Sequence, residues 1–566
     1  MAKNLTKYKQ KKQLPLKNNN LKILFDLFVI LLLSYSLRLF VGYYFYNSLI
    51  FDEIFQIFEP AYYLAYGHAI MPWEYFLGIR SWLLPGILGE ILNWTTTVDS
   101  LPRVMLLYQQ GFLVILSMIP VVTGYFWGQR LALLPRFSGL SPRLFGVALA
   151  IMAGFLSENI FLASHGLTEV VAAWFVFPAV YFASASATWP WGANWRWSSR
   201  ESLAQQRNLL YAGLFLGLAL VLRFHLAPTL GVIALFAARG LVLSRWRLLV
   251  AGALIPIIAA AILDWVTLGT PLQSIWLNFV VNIVDKVSEN FGIQPPWEVV
   301  GYPLRNWGWF APLALYLAWR GGRQVPLVLV AIFAVLITHA LIPHKEARFI
   351  YPILPLLSFA VAVGMVDFCL HPPDWSRLIN VPLTRRIWLM ITVWLLLSLS
   401  LCYWSGLRYN WFRGSFMAEK FDYISRLLDR PCGVALKQIS FLTTPGNSGL
   451  PPSVQLYEYK DTAKLLREHA AFDLVLASDP EPELLAYGDR LVHCFVSKPD
   501  KDRLLNDFKV KTPVCLWSRT TNPGQCDASA AVPVRMGIIE LPPERWQFGQ
   551  KKLMEEREEL RRFLRE

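Results

Sequence analysis

Two short strings hold the side chains best suited to chemistry. Asp52-Glu53, within FDEIFQIFE, sets two carboxylates side by side just after the first long apolar run. His344, Lys345 and Arg348, within HKEARFIYP, set three basic groups just before a late one. A carboxylate at a membrane mouth can take the proton from an attacking hydroxyl. A His-Lys-x-x-Arg cluster can hold a phosphate. A base and a phosphate clamp at a bilayer surface point to transfer of a group from a lipid phosphate.

Other residues surround these strings. Asp52, Phe55, Gln56 and Glu59 recur at helical spacing, which predicts one shared face. Capping of a helix N-terminus accounts for Asp52 and Glu53 about as well. Arg80, beyond Glu74, offers a counter-ion or only a surface salt bridge. Lys345 and Arg348, three apart, can face one anion or snorkel as anchors, although Glu346 between them does not help an anchor. His165 and Glu169 share an i, i+4 spacing, too few ligands for a metal site. Arg223 sits at another mouth, within reach of a phosphate or of the interface. Trp297 and Trp307 offer faces for a sugar, or belong to an aromatic interface belt.

These groups are carried by a very apolar chain. Of 566 residues, 55% are hydrophobic and only 16% charged, which fits a polytopic membrane protein rather than a soluble enzyme. Apolar runs near 24–46, 103–128, 144–163, 167–186, 208–223, 226–238, 248–268, 308–319, 325–342, 349–368 and 387–405 predict about eleven spans. The net charge of +14 is explained by basic cytoplasmic loops, not by nucleic-acid binding. Alternation from a lysine-rich cytoplasmic tail, residues 1–23, puts Arg130, Arg136, Arg143, Arg320 and Arg323 inside. It puts a first loop of roughly 47–102, a second of roughly 269–307, and everything after about 406 outside. Both chemical strings then face the exoplasmic side.

Residues 24–405 thus form the membrane domain, and 406–566 a soluble α/β domain. Within the latter GVALKQI, FDLVLAS, RLVHCFV and PVCLWSR read as strands, and DTAKLLREHAA as a helix. KKLMEEREELRRFLRE reads as a charged, solvated helix. Cys432, Cys494, Cys515 and Cys526 either pair as disulfides or stay as unpaired strand cysteines.

Together these strings resemble glycosyltransferase family 22, the α-mannosyltransferases that use dolichyl phosphate mannose, and most of all its GPI-anchor members. The likeness covers about residues 24 to 410. It rests on Asp52, Glu53, Phe55 and Gln56; on Trp73, Glu74, Arg80, Ser81 and Pro85; on Glu169; and on His344 to Pro352. It implies a mainly α, polytopic GT-C fold. The implied reaction moves mannose from a polyprenyl-phosphate donor to a lipid-linked glycan with inversion, with no cofactor and no metal in the motif. Asp52 would be the base, and Glu53 would orient the acceptor or share that role. His344, Lys345, Arg348 and Arg223 would bind the donor phosphate. Gln56, Glu59, Glu74, Arg80, Glu169 and Trp297 would meet the acceptor or sugar. The sequence departs from the family at Ile50-Phe51, before the acids, and at Glu298, which follows Pro296-Trp297 where a histidine is usual. A GT-C transferase of another sugar in bacterial envelope synthesis is the alternative. A transporter is a third, but it expects inverted repeats, and only Asp264 and Asp367 lie near span ends. The expected site is exoplasmic, in the endoplasmic reticulum membrane of a eukaryote or the inner membrane of a bacterium.

Overall fold

The computed structural model describes residues 16–44, 51–67, 69–95, 104–186, 201–240, 242–372, 380–404, 420, 423–424, 431–437, 450, 453–478, 482–495, 513–519, 525–532 and 536–539. The predicted helix after 550 lies outside these residues. All eleven apolar runs are helical, wholly or in part. The first is α1 (Leu16–Tyr44). After it a helical turn (Phe51–Glu53) and a π-helical turn (Ile54–Phe58) lead into α2 (Glu59–Tyr66), β1 (Ala69–Pro72), α3 (Trp73–Leu77) and α4 (Leu83–Thr95). There follow α5 (Val104–Leu116), α6 (Ile119–Leu131), α7 (Pro142–Gly154), α8 (Ser157–Leu162), α9 (Thr168–Ser186), α10 (Leu203–Leu222), α11 (Ala227–Ala237) and α12 (Leu243–Leu268). The rest are α13 (Gln273–Phe279), α14 (Glu298–Trp307), α15 (Ala311–Gly322), α16 (Pro326–Leu341), α17 (Ile353–Leu370) and α18 (Leu383–Trp404).

Six helices among the described residues are long and apolar enough to cross a membrane: 20–44, 107–131, 168–185, 243–268, 353–370 and 383–402. Four more are apolar but shorter, 142–154, 224–237, 273–284 and 326–341. The protein is therefore multi-pass by length and composition. Two of the predicted runs are interrupted. The run near 103–128 breaks at Ser117-Met118, just before Pro120, which has no N–H to continue the ladder. The run near 144–163 breaks at Phe155-Leu156.

The breaks expose carbonyls, and Arg38 of α1 serves both. Its guanidinium donates to Ser117 O at 2.7 Å, to Ser117 Oγ at 2.6 Å and to Gly154 O at 3.1 Å. Arg38 is 2% exposed. A buried cation is costly unless paired, and here the negative ends of α5 and α7 take the place of a carboxylate. At the opposite ends of the bundle, Arg143 grips Asp26 at 2.6 Å, while Arg136 and Arg320 share Asp367 at 2.7 and 2.6 Å.

Helix contact in a bilayer gains little from the hydrophobic effect, so close backbone approach must supply it. Glycines permit that approach in three helix pairs. A methyl group on Gly213 would lie 2.0 Å from Leu249 O, and one on Gly252 2.1 Å from Leu210 O, so α10 and α12 interlock reciprocally. Gly321 and Gly364 do the same for α15 and α17, each 2.0 Å from a carbonyl of the partner helix. Gly128 and Gly146 do so for α6 and α7, at 2.7 and 2.8 Å.

Beyond the bundle, β2 (Gly433–Lys437), β3 (Gln455–Tyr459), β4 (Leu474–Ser478), β5 (Arg490–Phe495) and β6 (Val514–Ser518) form one sheet in the order β3-β2-β4-β6-β5. The β3-β2-β4 part is parallel, and β6 is antiparallel to both of its neighbours. Helices α19 (Thr462–Arg467) and α20 (Pro482–Tyr487) accompany it. The cysteines join as Cys432–Cys526 and Cys494–Cys515. A last strand, β7 (Met536–Ile539), leaves this sheet and pairs in parallel with β1, from Ala69↔Met536 to Pro72↔Ile539.

The interlocked glycines make a prediction. Gly364→Val should push α15 and α17 apart and cost about 1–3 kcal/mol. Thermal unfolding in detergent checks this, and an unchanged midpoint would contradict it.

Candidate active site

Four segments bring their charges together at one mouth of the bundle. Asp52 comes from the turn after α1, Glu169 from the first turn of α9, and Arg223 from the end of α10. Arg348 comes from the 3-10 turn Ala347–Ile350 that leads into α17. Arg348 is at the centre. It forms an ion pair with Asp52, another with Glu346 at 2.8 Å, and a longer one with Glu169 at 3.7 Å. Arg223 closes the chain on Glu169 at 2.9 Å. Arg348 is 6% exposed and Asp52 29%, so the aspartate is the member of that pair open to an incoming molecule.

The two adjacent acids part company. Glu53 is 1% exposed, and both its oxygens are engaged. Oε1 accepts from Gly166 N at 2.7 Å, and Oε2 accepts from His165 Nδ1 at 2.8 Å. Glu53 therefore ties the Asp52 turn to the loop before α9. His165 and Glu169 do not share a ligand, since each serves a different partner.

The predicted common face of Asp52, Phe55, Gln56 and Glu59 is broken by the π-helical turn Ile54–Phe58. A π turn inserts a residue and rotates the helix beyond it. Gln56 Nε2 donates to Glu74 Oε1 at 3.1 Å, and Glu59 Oε2 accepts from Ile70 N at 2.8 Å. Glu59 thus braces β1 instead of facing a ligand. Glu74 also meets Arg80 Nη2 at 3.7 Å. Burial pushes the Glu74 carboxyl above its ordinary value; Arg80 draws it back, and the charge of Asp52 adds to the rise.

An open cleft lies beside this cluster, lined by Gln56, Arg80, Ser81, Thr168, Arg223 and Asn278 among others. Its two cations are Arg80 and Arg223. Arg80 Nε is buried and finds no hydrogen-bond partner among the described residues.

The HKE string behaves otherwise than its sequence proposes. Lys345 Nζ donates to the carbonyls of Gln294 at 2.9 Å and Ile342 at 2.5 Å. His344 Nδ1 donates to Gly292 O at 2.8 Å and Nε2 to Glu346 at 3.0 Å. Gln294 N returns a bond to Pro343 O at 3.1 Å. His344 and Lys345 thus staple the 292–294 strip to the segment before α17. Of the three cations in the string, only Arg348 meets Asp52 and Glu169; His344 touches the cluster through Glu346, and Lys345 meets only carbonyls. Trp297 is 72% exposed and does not line the cleft.

Glu346, which the sequence presents as an unhelpful acid, links the staple to Arg348. Burial works against its carboxylate, but Arg348 and His344 override burial and hold it down to about 2. Burial likewise opposes the His344 imidazolium, and its bonds to Glu346 and Gly292 O raise it above the ordinary value. Sequence reasoning also missed Gln273 and Asn278, whose side-chain amides donate to Gly78 O and Ile79 O just before Arg80. Amides carry no charge signal, and spacing does not reveal a carbonyl partner some two hundred residues away.

The mostly helical body, with its Asp-bearing first loop and buried arginines at one mouth, is of GT-C architecture. It aligns with the crystal structure of ArnT from Cupriavidus metallidurans bound to undecaprenyl phosphate at a TM-score of 0.50 and 11% identity, covering 87% of this chain and 98% of that one. Residues 27–426 match the Alg9-like mannosyltransferase family, and the chain belongs to it. It is 29% identical over 328 residues to GPI mannosyltransferase 3 of Yarrowia lipolytica, covering 56% of this chain and 58% of that protein. It is 23% identical over 338 residues to GPI mannosyltransferase 3 of Debaryomyces hansenii, covering 56% and 55%. The chain thus spans a little over half the length of these relatives.

The staple has a pH signature. A histidine raised on folding lends stability that is full below its unfolded value of about 6.5, and that is lost as pH rises through the folded value. His344→Gln should therefore lower the melting temperature at pH 6 and lose that penalty progressively toward pH 9. A pH-independent difference between the two proteins would contradict the charged form of the staple.

Proposed function

We propose that the protein transfers mannose from a polyprenyl-phosphate donor to a lipid-linked, GPI-anchor-like glycan, with inversion at the anomeric carbon. The observation that carries this reading is the half-open Asp52 carboxylate beside a cleft lined by Arg80 and Arg223. Family membership and the GPI mannosyltransferase relatives support the sugar and the class of acceptor.

In this mechanism the acceptor hydroxyl oxygen attacks the anomeric carbon of the donor. Its proton passes to an Asp52 oxygen, and the bond from the anomeric carbon to the phosphate oxygen breaks. The electron pair leaves with the phosphate, which needs no proton to depart. Arg80 and Arg223 face the cleft and offset the growing charge. Arg348 holds Asp52 in place. Glu53, with both oxygens occupied, supports the turn instead of sharing the proton. His344 and Lys345 act on the donor only through the loop they staple. Gln56 holds the Glu74 carboxylate near Arg80.

The mouth that carries Asp52 is proposed to be exoplasmic, in the endoplasmic reticulum if the host is eukaryotic. The clamps of Arg143 on Asp26 and of Arg136 and Arg320 on Asp367 support a cytoplasmic assignment for the opposite ends. We assign a membrane crossing to each of the eleven apolar runs: the six long helices, the shorter helices 142–154, 224–237 and 326–341, and α10 and α15. The β1–β7 pairing supports a C-terminal α/β domain on the same side as the first loop.

Purified protein supplied with polyprenyl-phosphate mannose and a glycolipid acceptor should release polyprenyl phosphate and form an α-mannoside. Asp52→Asn should lower turnover by about 10²–10⁴-fold, with a lower melting temperature but a folded protein, since Arg348 keeps Glu346 and Glu169 as partners. Full activity in that variant would remove Asp52 as base. Transfer from a different sugar donor, with none from the mannose donor, would remove the mannosyl reading.

A further inference from the structure

Arg80 projects from a loop, Gly78 to Ser81, that has little structure of its own. Gly78 ends α3 in the left-handed region at φ 70°, and the chain turns there. What fixes the loop is a separate segment almost two hundred residues on. Gln273 Nε2 donates to Gly78 O at 3.3 Å, and Asn278 Nδ2 donates to Ile79 O at 3.0 Å. Two consecutive carbonyls just before Arg80 are thus gripped by two amides of α13.

The amides are themselves held. Asn282 Nδ2 donates to Asn278 Oδ1 at 2.7 Å, which turns the Asn278 amide so that its nitrogen faces Ile79 O. Asp264, near the end of α12, accepts from Ser274 N at 2.9 Å and from Ser274 Oγ at 2.6 Å, anchoring the start of α13. Leu277 and Val281 pack on Leu77 and Ile79, so the same helix covers the apolar side of the loop. Asn278 is 4% exposed, and Asn278, Ser274 and Arg80 line one cleft.

An arginine can bind an anion well only if its stem is fixed, because ordering a long side chain on binding costs affinity. Glu74 meets the Arg80 guanidinium at 3.7 Å, beyond ordinary hydrogen-bond length, so the head group is only loosely held. The backbone is held firmly instead. We infer that Asn278, assisted by Gln273, is a positioning residue that sets Arg80 to receive the phosphate of a lipid phosphate in the cleft. This rests on the function proposed above, and it adds α13, which no charged motif marks, to the machinery of that site.

The test is a double-mutant cycle on the full-length protein in detergent, with undecaprenyl phosphate as the probe. Affinity is read from ligand-dependent thermal shift and, where turnover is seen, from the donor KM. Asn278→Ala should weaken binding about tenfold, the effect of losing one buried hydrogen bond. It should raise the donor KM with little change in the acceptor KM. Gln273→Ala should act in the same direction with a smaller effect, and it carries the test should the first variant not fold. In an Arg80→Ala background, neither substitution should weaken binding further. Wild-type affinity in Asn278→Ala would overturn the inference. So would a loss that adds fully to that of Arg80→Ala, since a merely structural asparagine would give that result. A protein that binds undecaprenyl phosphate with the expected pattern but moves no mannose keeps the bracket and overturns the proposed function. Wild-type protein with no affinity for undecaprenyl phosphate overturns both.

Discussion

The organisation of the site depends on one buried guanidinium. Arg348 meets Asp52, Glu346 and Glu169, and Arg223 meets Glu169 from the other side. Taking such charges out of water is expensive, and removing a single partner strands the others. The cluster therefore acts as a unit. It fixes the turn after the first span, the start of α9, the end of α10 and the approach to α17 relative to each other. Three carboxylates share two guanidiniums at its heart, so a cation left over for a ligand must come from elsewhere. That makes Arg80, on its separate loop, the natural complement to Arg223 in the cleft.

Much of this was legible in the chain. The apolar runs gave the helices, apart from the interruptions at Ser117-Met118 and Phe155-Leu156, because a span must satisfy its backbone internally and its length follows from the bilayer. The strings around Asp52 and Arg348 were marked by charge where charge is costly. The division of labour within them was not legible. Asp52 and Glu53 are neighbours with the same chemistry, yet one meets Arg348 and the other meets His165 and Gly166. Lys345 reads as an anion ligand, but the strip near 342–346 and its neighbour near 294 leave carbonyls that need a donor. The π turn at 54–58 has no signature in residue spacing, so helical periodicity puts Glu59 on the wrong face. In the C-terminal region four strands are visible from alternation, whereas β3 and the β1–β7 pairing are not.

Polar groups that carry no motif do as much to shape the bundle as those that do. Arg38 sits deep within α1 and spends its hydrogen bonds on the broken ends of α5 and α7. Without it, those carbonyls would face hydrocarbon or a dry core. Beyond the second break, α8 leads to the loop of His165. A cation in the first span and the acid that comes after that span thus reach the same loop by two routes.

The parallel pairing of β1 with β7 bears on how the protein is made. β1 belongs to the first stretch of chain to follow a membrane span, and β7 is among the last described segments to leave the ribosome. At about 5–20 residues per second, the two are separated by roughly half a minute to a minute and a half of synthesis. Throughout that interval β1 presents an unpaired edge beside the Asp52 turn, braced by the bond from Ile70 N to Glu59. The nascent protein therefore carries an open strand next to the Asp52 turn, a natural landing place for a chaperone and a point at which premature termination would be felt.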